Sequence, residues 1–216
     1  MTISVFLVDD HTVVRDGLRL LIETQSDMNV VGAASDGREA VRQVSLSRPN
    51  VVIMDIAMPE LNGVEATRQI RENIPETKVI VLSMHSSSEH VFQALKAGAQ
   101  GYLLKESAGA EVIHAIRAVH AGRRYLSEKI GDQVIDDYIQ GRGAGQRESP
   151  LSKLSSRERE ILQLVAEGKS SVDIAGILYI SPKTVETYRS RLMQKLGIED
   201  IAGLVKFALQ HGMITM

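Results

Sequence analysis

Cysteine is absent from this 216-residue chain. Its absence excludes disulfide frameworks, thiolate zinc sites and cysteine nucleophiles, and it fits a reducing, cytoplasmic setting. Long apolar runs are missing as well: no stretch approaches the roughly 20 residues that a membrane-spanning helix needs, so no membrane partner is expected. The opening Met1-Thr2-Ile3-Ser4 has no basic region ahead of an apolar one and meets Asp9 and Asp10 almost at once, so no secretory leader is expected there. Neither GxxxxGK[ST] nor GxGxxG occurs, which removes the two glycine-rich phosphate cradles. No internal repeat is visible. A large excess of one charge is also lacking, with 25 Lys/Arg against 27 Asp/Glu. What is present is an ordinary globular composition: 44% of residues are hydrophobic, too many for a disordered chain.

The charge is unevenly spread. Residues 1–125 hold 13 basic and 15 acidic residues, residues 126–149 hold 3 and 5, and residues 150–216 hold 9 and 7. Only the last segment is net basic, which by itself is a weak pointer to nucleic acid. The three segments also differ in pattern. Up to residue 125, short β-branched runs at 3–8, 29–34, 50–54, 78–83 and 101–104 alternate with helix-length amphipathic stretches at 12–24, 37–47, 62–73, 87–97 and 108–121. Such alternation predicts βαβ units, hence an α/β domain with a five-stranded, doubly wound parallel sheet. Residues 126–150 read as a linker with one helix at 127–140, followed by a flexible stretch from Gly141 to Pro150. From 151 to 216 the pattern is helical throughout and predicts a separate all-α domain of four helices, at about 155–167, 170–178, 182–196 and 199–211.

The chemistry of the first domain lies at strand ends. Val5-Phe6-Leu7-Val8 delivers Asp9 and Asp10, and Val51-Val52-Ile53-Met54 delivers Asp55. In a parallel sheet these ends open onto one crevice. Three carboxylates there are costly unless they hold a cation or share protons. Two later strands bring Ser83 and Lys105 to the same edge. A carboxylate can attack phosphorus to give an acyl phosphate, and Mg²⁺ suits an all-oxygen set of one or two carboxylates, a phosphate and water. Asp10 and Asp55 would ligate Mg²⁺ directly and Asp9 through water, while Lys105 would pair with one phosphoryl oxygen and Ser83 donate to another.

The order Asp9-Asp10, Met54-Asp55-Ile56-Ala57-Met58-Pro59, Gly63, Ser83, Ala97-Gly98-Ala99 and Lys105 resembles the receiver domain of two-component response regulators over residues 3 to about 122. The resemblance implies Asp55 as phosphoacceptor, Asp9 and Asp10 as metal-site acids, the Ala57 backbone carbonyl as a metal ligand, and Ser83 and Lys105 as phosphoryl contacts. It also places Tyr102 at the family's aromatic switch position, where the ring turns inward as the hydroxyl at 83 swings toward the phosphate. A phosphatase of the haloacid-dehalogenase type uses a strand-end aspartate too, but needs a second acid two residues on. Ala57 stands there, so an enzyme is not expected.

Residues 152–214 resemble the LuxR-type helix-turn-helix of NarL/FixJ-type regulators. The stretches that carry the likeness are Leu154–Leu162, Ala166–Ser171, Ile174-Ala175, Ile180–Val185 and Lys195-Leu196-Gly197. Local chemistry agrees. Ser155 and Glu158 fit a capping box, and Ser181-Pro182 fits an N-cap followed by proline at the first helical position. Periodicity turns Val185, Leu192 and Leu196 toward a core, with Lys183, Thr184, Glu186, Thr187, Ser190 and Arg191 elsewhere. The third helix would enter the major groove. Lys183, Thr184, Arg189 and Arg191 are the expected phosphate contacts, joined by Lys169. Glu186, Thr187 and Ser190 match base-facing positions, and Glu186 would either accept from cytosine or only repel phosphate.

Together the resemblances imply a transcription regulator phosphorylated by a sensor histidine kinase. Its partners would be a palindromic double-stranded DNA operator, RNA polymerase and, once phosphorylated, a second copy of itself joined through the fourth helix (Ala202, Val205, Leu209). The alternative is a phosphorylation-independent DNA-binding regulator whose receiver is a dimerisation scaffold.

Overall fold

The computed structural model of the chain describes residues 2–139 and 150–214. The glycine-rich stretch expected to be flexible falls almost wholly outside the described residues. Strands β1 (Ile3–Val8), β2 (Met28–Ala34), β3 (Val51–Asp55), β4 (Lys78–Ser83) and β5 (Gly101–Leu104) alternate with helices α1 (Thr12–Glu23), α2 (Gly37–Ser47), α3 (Gly63–Asn73), α4 (Ser88–Lys96) and α5 (Ala108–His120). All strands are parallel, in the order β2-β1-β3-β4-β5-β6. The five-strand expectation needs one correction. A sixth strand, β6, is formed by Tyr125–Leu126 paired with Gly101 and Tyr102. Two residues are too short for any apolar run to reveal, and the pairing exists only because α5 returns the chain to the sheet edge.

Strand alternation divides the core. Val5, Leu7, Ile53, Ile80, Leu82 and Leu103 pack under α1 and α5. Phe6, Val8, Val52 and Met54 pack under α2 and α3, and Val81, Tyr102 and Leu104 under α4. With both faces covered, β3 is buried at every position and β4 at every position but its first, Lys78, so Val51–Met54 and Val79–Leu82 read as apolar runs. The sheet order reverses between β1 and β3. Asp9 follows β1 and Asp55 ends β3, so both lie at the switch point, where strand ends splay and leave a crevice.

Helix α6 (Glu128–Ile139) follows β6 and lays Ile130 and Val134 against the α4 side of the core. The helical unit contains α7 (Ser156–Ala166), α8 (Ser171–Leu178), α9 (Pro182–Leu196) and α10 (Ile201–Gln210). Their core holds Ile161, Leu162, Leu164, Ile174, Val185, Leu192, Leu204 and Ala208. Each helix starts on a side-chain cap: Ser155 and Ser170 form capping boxes with Glu158 and Asp173, Ser181 accepts from the Thr184 N–H, and Asp200 accepts from the Gly203 N–H. The turn between α8 and α9 is tight because Tyr179 adopts φ +54, and α9 ends where Gly197 takes φ +66. Helix α7 packs on α3, so the two units share a seam.

Candidate functional site

The strand-end acids converge. One ligand atom each from Asp9, Asp10, His11 and Asp55 lies within 4.8 Å of the others. Asp9 and Asp55 are buried at 2% exposure each, whereas Asp10 stands at the rim. Lys105 reaches in from the end of β5, its Nζ 2.8 Å from Asp9 Oδ2 and 2.7 Å from Asp55 Oδ2. Burial pushes the Asp55 carboxyl up to about 6; the Lys105 hydrogen bond opposes the shift, and the Asp9 and Asp10 charges add to it. Lys105 itself is held above its ordinary value: burial favours the neutral amine, but the Asp55 and Asp9 hydrogen bonds outweigh it. His11, at the N-cap of α1, donates its backbone N–H to Asp9 Oδ1 at 2.8 Å, and its Nδ1 lies 2.7 Å from Asp10 Oδ1. From sequence His11 reads as a residue that helps begin the first helix, more than as a catalytic base; the structure adds its ring to the acid cluster. The hard carboxylate oxygens suit Mg²⁺, since receiver domains bind that ion at an acidic pocket of this kind.

Glycine sets the closeness of the site. A Cβ on Gly63 would meet the Asp55 carbonyl oxygen at 1.8 Å, so only glycine lets α3 begin against the end of β3. The loop between them is closed by the Gly63 N–H on the Ile56 carbonyl, at 2.9 Å. Ser83 is buried, and its Oγ accepts from the His85 N–H at 3.0 Å. Tyr102 is fully buried, and its hydroxyl donates to the His85 carbonyl at 2.7 Å. The ring therefore already has the inward orientation that the resemblance attaches to the switched form. Burial pushes its phenol up to about 12.

The second surface is on α9. Lys183, Glu186, Thr187, Ser190 and Arg191 are exposed, as is Lys169 before α8, while Val185 and Leu192 are buried. Thr184 differs from a free surface residue, since its hydroxyl lies 2.8 Å from the Ser181 hydroxyl within the helix cap. Arg189 differs too. Its side chain is only 20% exposed, and its Nη1 donates to Ser171 Oγ at 2.8 Å and to Glu186 Oε1 at 3.2 Å. Ser171 Oγ also donates to Glu186 Oε1. Glu186 is thus tethered and partly neutralised instead of standing as a stray anion.

The seam supplies residues that sequence reading missed. Gln163 on α7 is fully buried. Its Oε1 accepts from the Asn62 backbone N–H at 2.8 Å and from Asn62 Nδ2 at 3.0 Å, and its Nε2 donates to the Met58 carbonyl at 2.9 Å. Glu65, buried at the first turn of α3, accepts from Arg159 Nε at 2.8 Å. Burial pushes the Glu65 carboxyl up, but the Arg159 hydrogen bond and charge hold it below the ordinary value. Gln69 donates to Glu160 at 2.9 Å, and His211 at the end of α10 meets Glu89 at 3.0 Å. The one available signal was Gln163 itself, a polar residue inside the apolar run Ile161-Leu162-Gln163-Leu164-Val165.

Comparison with known proteins agrees with both halves. The response regulator receiver domain matches residues 5–117, and the luxR family of bacterial regulatory proteins matches residues 152–208. Oxygen regulatory protein NreC of Staphylococcus carnosus is 37% identical over 214 residues, 98% of this chain and 99% of that protein. A LuxR-family two-component response regulator from Aurantimonas sp. SI85-9A1 superposes with a TM-score of 0.62 at 39% identity, covering 64% of this chain and 99% of that one. RcsB in complex with DNA superposes with a TM-score of 0.60 at 26% identity over the whole of both chains. The fold and the paired domains define a DNA-binding regulator of transcription rather than an enzyme. The chain belongs to the two-component response regulators that join a receiver domain to a LuxR-type helix-turn-helix.

Proposed function

We propose that Asp55 is the phosphoacceptor and that its modification governs DNA binding by α9. The observation that supports this most directly is Lys105 Nζ bridging Asp9 and Asp55 inside a four-residue acid and imidazole cluster at the sheet switch point. One Asp55 oxygen attacks phosphorus; the new O–P bond forms as the bond to the donor nitrogen or oxygen breaks. Asp10, Asp55 and the Ala57 carbonyl would hold Mg²⁺, with Asp9 acting through water, and the ion would neutralise charge on the transferred group. Lys105 then exchanges its Asp55 contact for a phosphoryl oxygen. Ser83 leaves the His85 N–H and donates to another, moving the loop that holds the Tyr102 hydroxyl. A two-state seam between receiver and helix-turn-helix is biased by that movement.

On DNA, Lys183, Arg191 and Lys169 are assigned to phosphates, with Thr184 and Arg189 at the edge of that set, and Glu186, Thr187 and Ser190 to base edges. The donor is a sensor histidine kinase or a small phosphodonor. The active form is a homodimer on a palindromic operator, working with RNA polymerase in the cytoplasm. The decisive experiment is intact mass after incubation with Mg²⁺ and acetyl phosphate. One added phosphoryl group is expected on the wild type and none on Asp55→Asn. An adduct on the variant, or none on the wild type with either acetyl phosphate or the cognate kinase, overturns the assignment.

A further inference from the structure

Gln163 belongs to the DNA-binding unit, yet its amide group serves the phosphoacceptor loop. Both Oε1 lone pairs are used by Asn62, and the two Nε2 protons go to the Met58 carbonyl and to Glu167 Oε1, at 2.9 and 2.8 Å. A buried amide with all four positions filled is a rigid clamp, because any displacement leaves a polar group unpaired. The clamped segment starts three residues after Asp55 and ends at the N-cap of α3. There is no slack between the two, since Gly63 lies hard against the Asp55 carbonyl.

Glu167 makes a second grip. Its Oε1 accepts from the Glu60 N–H at 2.9 Å, where Glu60 holds φ +64. Glu167 is the C-cap of α7, the helix end where the macrodipole disfavours a carboxylate. With Asp10, Ala57, Met58, Pro59 and Ile214 it lines a cavity of 220 Å³ beside the acid cluster. The helical unit therefore brings the Glu167 carboxyl, half-buried and held above its ordinary value by that burial, into the pocket that Asp10 and Ala57 also line.

We propose that Gln163 and Glu167 are positioning residues of the phosphoacceptor loop: docked α7 holds residues 58–62 in their unphosphorylated arrangement, and a phosphoryl group on Asp55 expels α7 by repelling Glu167. The proposal rests on Asp55 as phosphoacceptor. Linkage makes the effect reciprocal: docking opposes phosphorylation by the factor with which phosphorylation opposes docking. The exposed side chains of α9 in the docked arrangement show that this seam does not work by covering the recognition helix.

The test follows hydrogen exchange at the Glu60 and Asn62 amides of the full chain, before and after acetyl phosphate with Mg²⁺, with the adduct verified by mass and by its absence from Asp55→Asn. In the wild type, phosphorylation should speed both amides by at least about fivefold, the lower end of ordinary coupling. Gln163→Leu should show that speed beforehand, with no phosphoryl group on Asp55. Glu167→Gln keeps the acceptor for Glu60 and removes the charge, so its amides should stay protected after phosphorylation. If Gln163→Leu fails to fold, the wild type and Glu167→Gln decide alone. A wild-type adduct that leaves both amides unchanged, or Glu167→Gln releasing as the wild type does, overturns the proposal while leaving Asp55 as phosphoacceptor. No adduct on the wild type overturns both.

Discussion

At the residue scale, the acid site stores unfavourable charge until a ligand relieves it. Asp55 has its carboxyl raised from 3.8 to about 6, so the folded chain binds more protons than the unfolded one between those values. Stability attributable to this group is therefore full below pH 3.8 and falls as pH rises through the window up to about 6. In Mg²⁺-free buffer Asp55→Asn should be more stable than the wild type above pH 6, by up to about 3 kcal/mol for a two-unit shift at ~1.4 kcal/mol per unit. Urea unfolding of both proteins from pH 3.5 to 7.5 checks this, and parallel curves would show that burial does not strain Asp55. On α9, the tether from Arg189 and Ser171 gives Glu186 a fixed acceptor. Glu186→Ala should relax base preference at one position per half-site by about 1–3 kcal/mol. Lys183→Ala should weaken all sequences alike and shallow the salt slope by about 0.9. Binding to a randomised operator library at two salt concentrations separates the outcomes.

At the element scale, caps and glycines decide where helices start. Those caps were legible: Ser155 with Glu158, and Ser181 before Pro182, stand in the sequence at the spacing that the backbone then adopts. Ser155→Ala should cost about 1 kcal/mol of helical-unit stability, and Glu158 would also lose one partner while keeping Lys195 at 2.7 Å. Gly63 could be read as a family match, but not for its reason, because only the packed structure shows a backbone oxygen where a Cβ would stand. Gly63→Ala should displace α3 from β3 and lower Mg²⁺ affinity together with thermal stability; a variant with unchanged melting and unchanged Mg²⁺ binding would rule out this account. The two-residue β6 was illegible for a different cause: Tyr125 and Leu126 are too few to express a period.

At the scale of the whole molecule, the seam is polar and its charges are buried. Glu65 is 2% exposed and depends on Arg159 from the other unit. Removing Arg159 leaves a buried carboxylate with Arg68 at 3.4 Å and the Ser156 hydroxyl, at a cost to docking on the order of 3–5 kcal/mol. Arg159→Met should thus separate the units without unfolding either. The expected readout is a larger radius of gyration by small-angle scattering with wild-type secondary structure. An unchanged radius would mean that the apolar and remaining polar contacts hold the seam alone.

The sequence by itself determined the parallel α/β order of the first part, the helical order of the second, and the strand-end acids that the fold gathers at one sheet edge. Each of these rests on local periodicity, on cap chemistry, or on acids placed directly after apolar runs, and such signals lie within a few positions of one another. Only the tertiary structure decided that Lys105 bridges two carboxylates, that Tyr102 is turned inward, that Arg189 holds Glu186, and that Gln163 grips a loop 101 residues away. These depend on which surfaces meet. A glutamine in an apolar run is a buried amide in need of partners, and nothing in its neighbours along the chain says where those partners are.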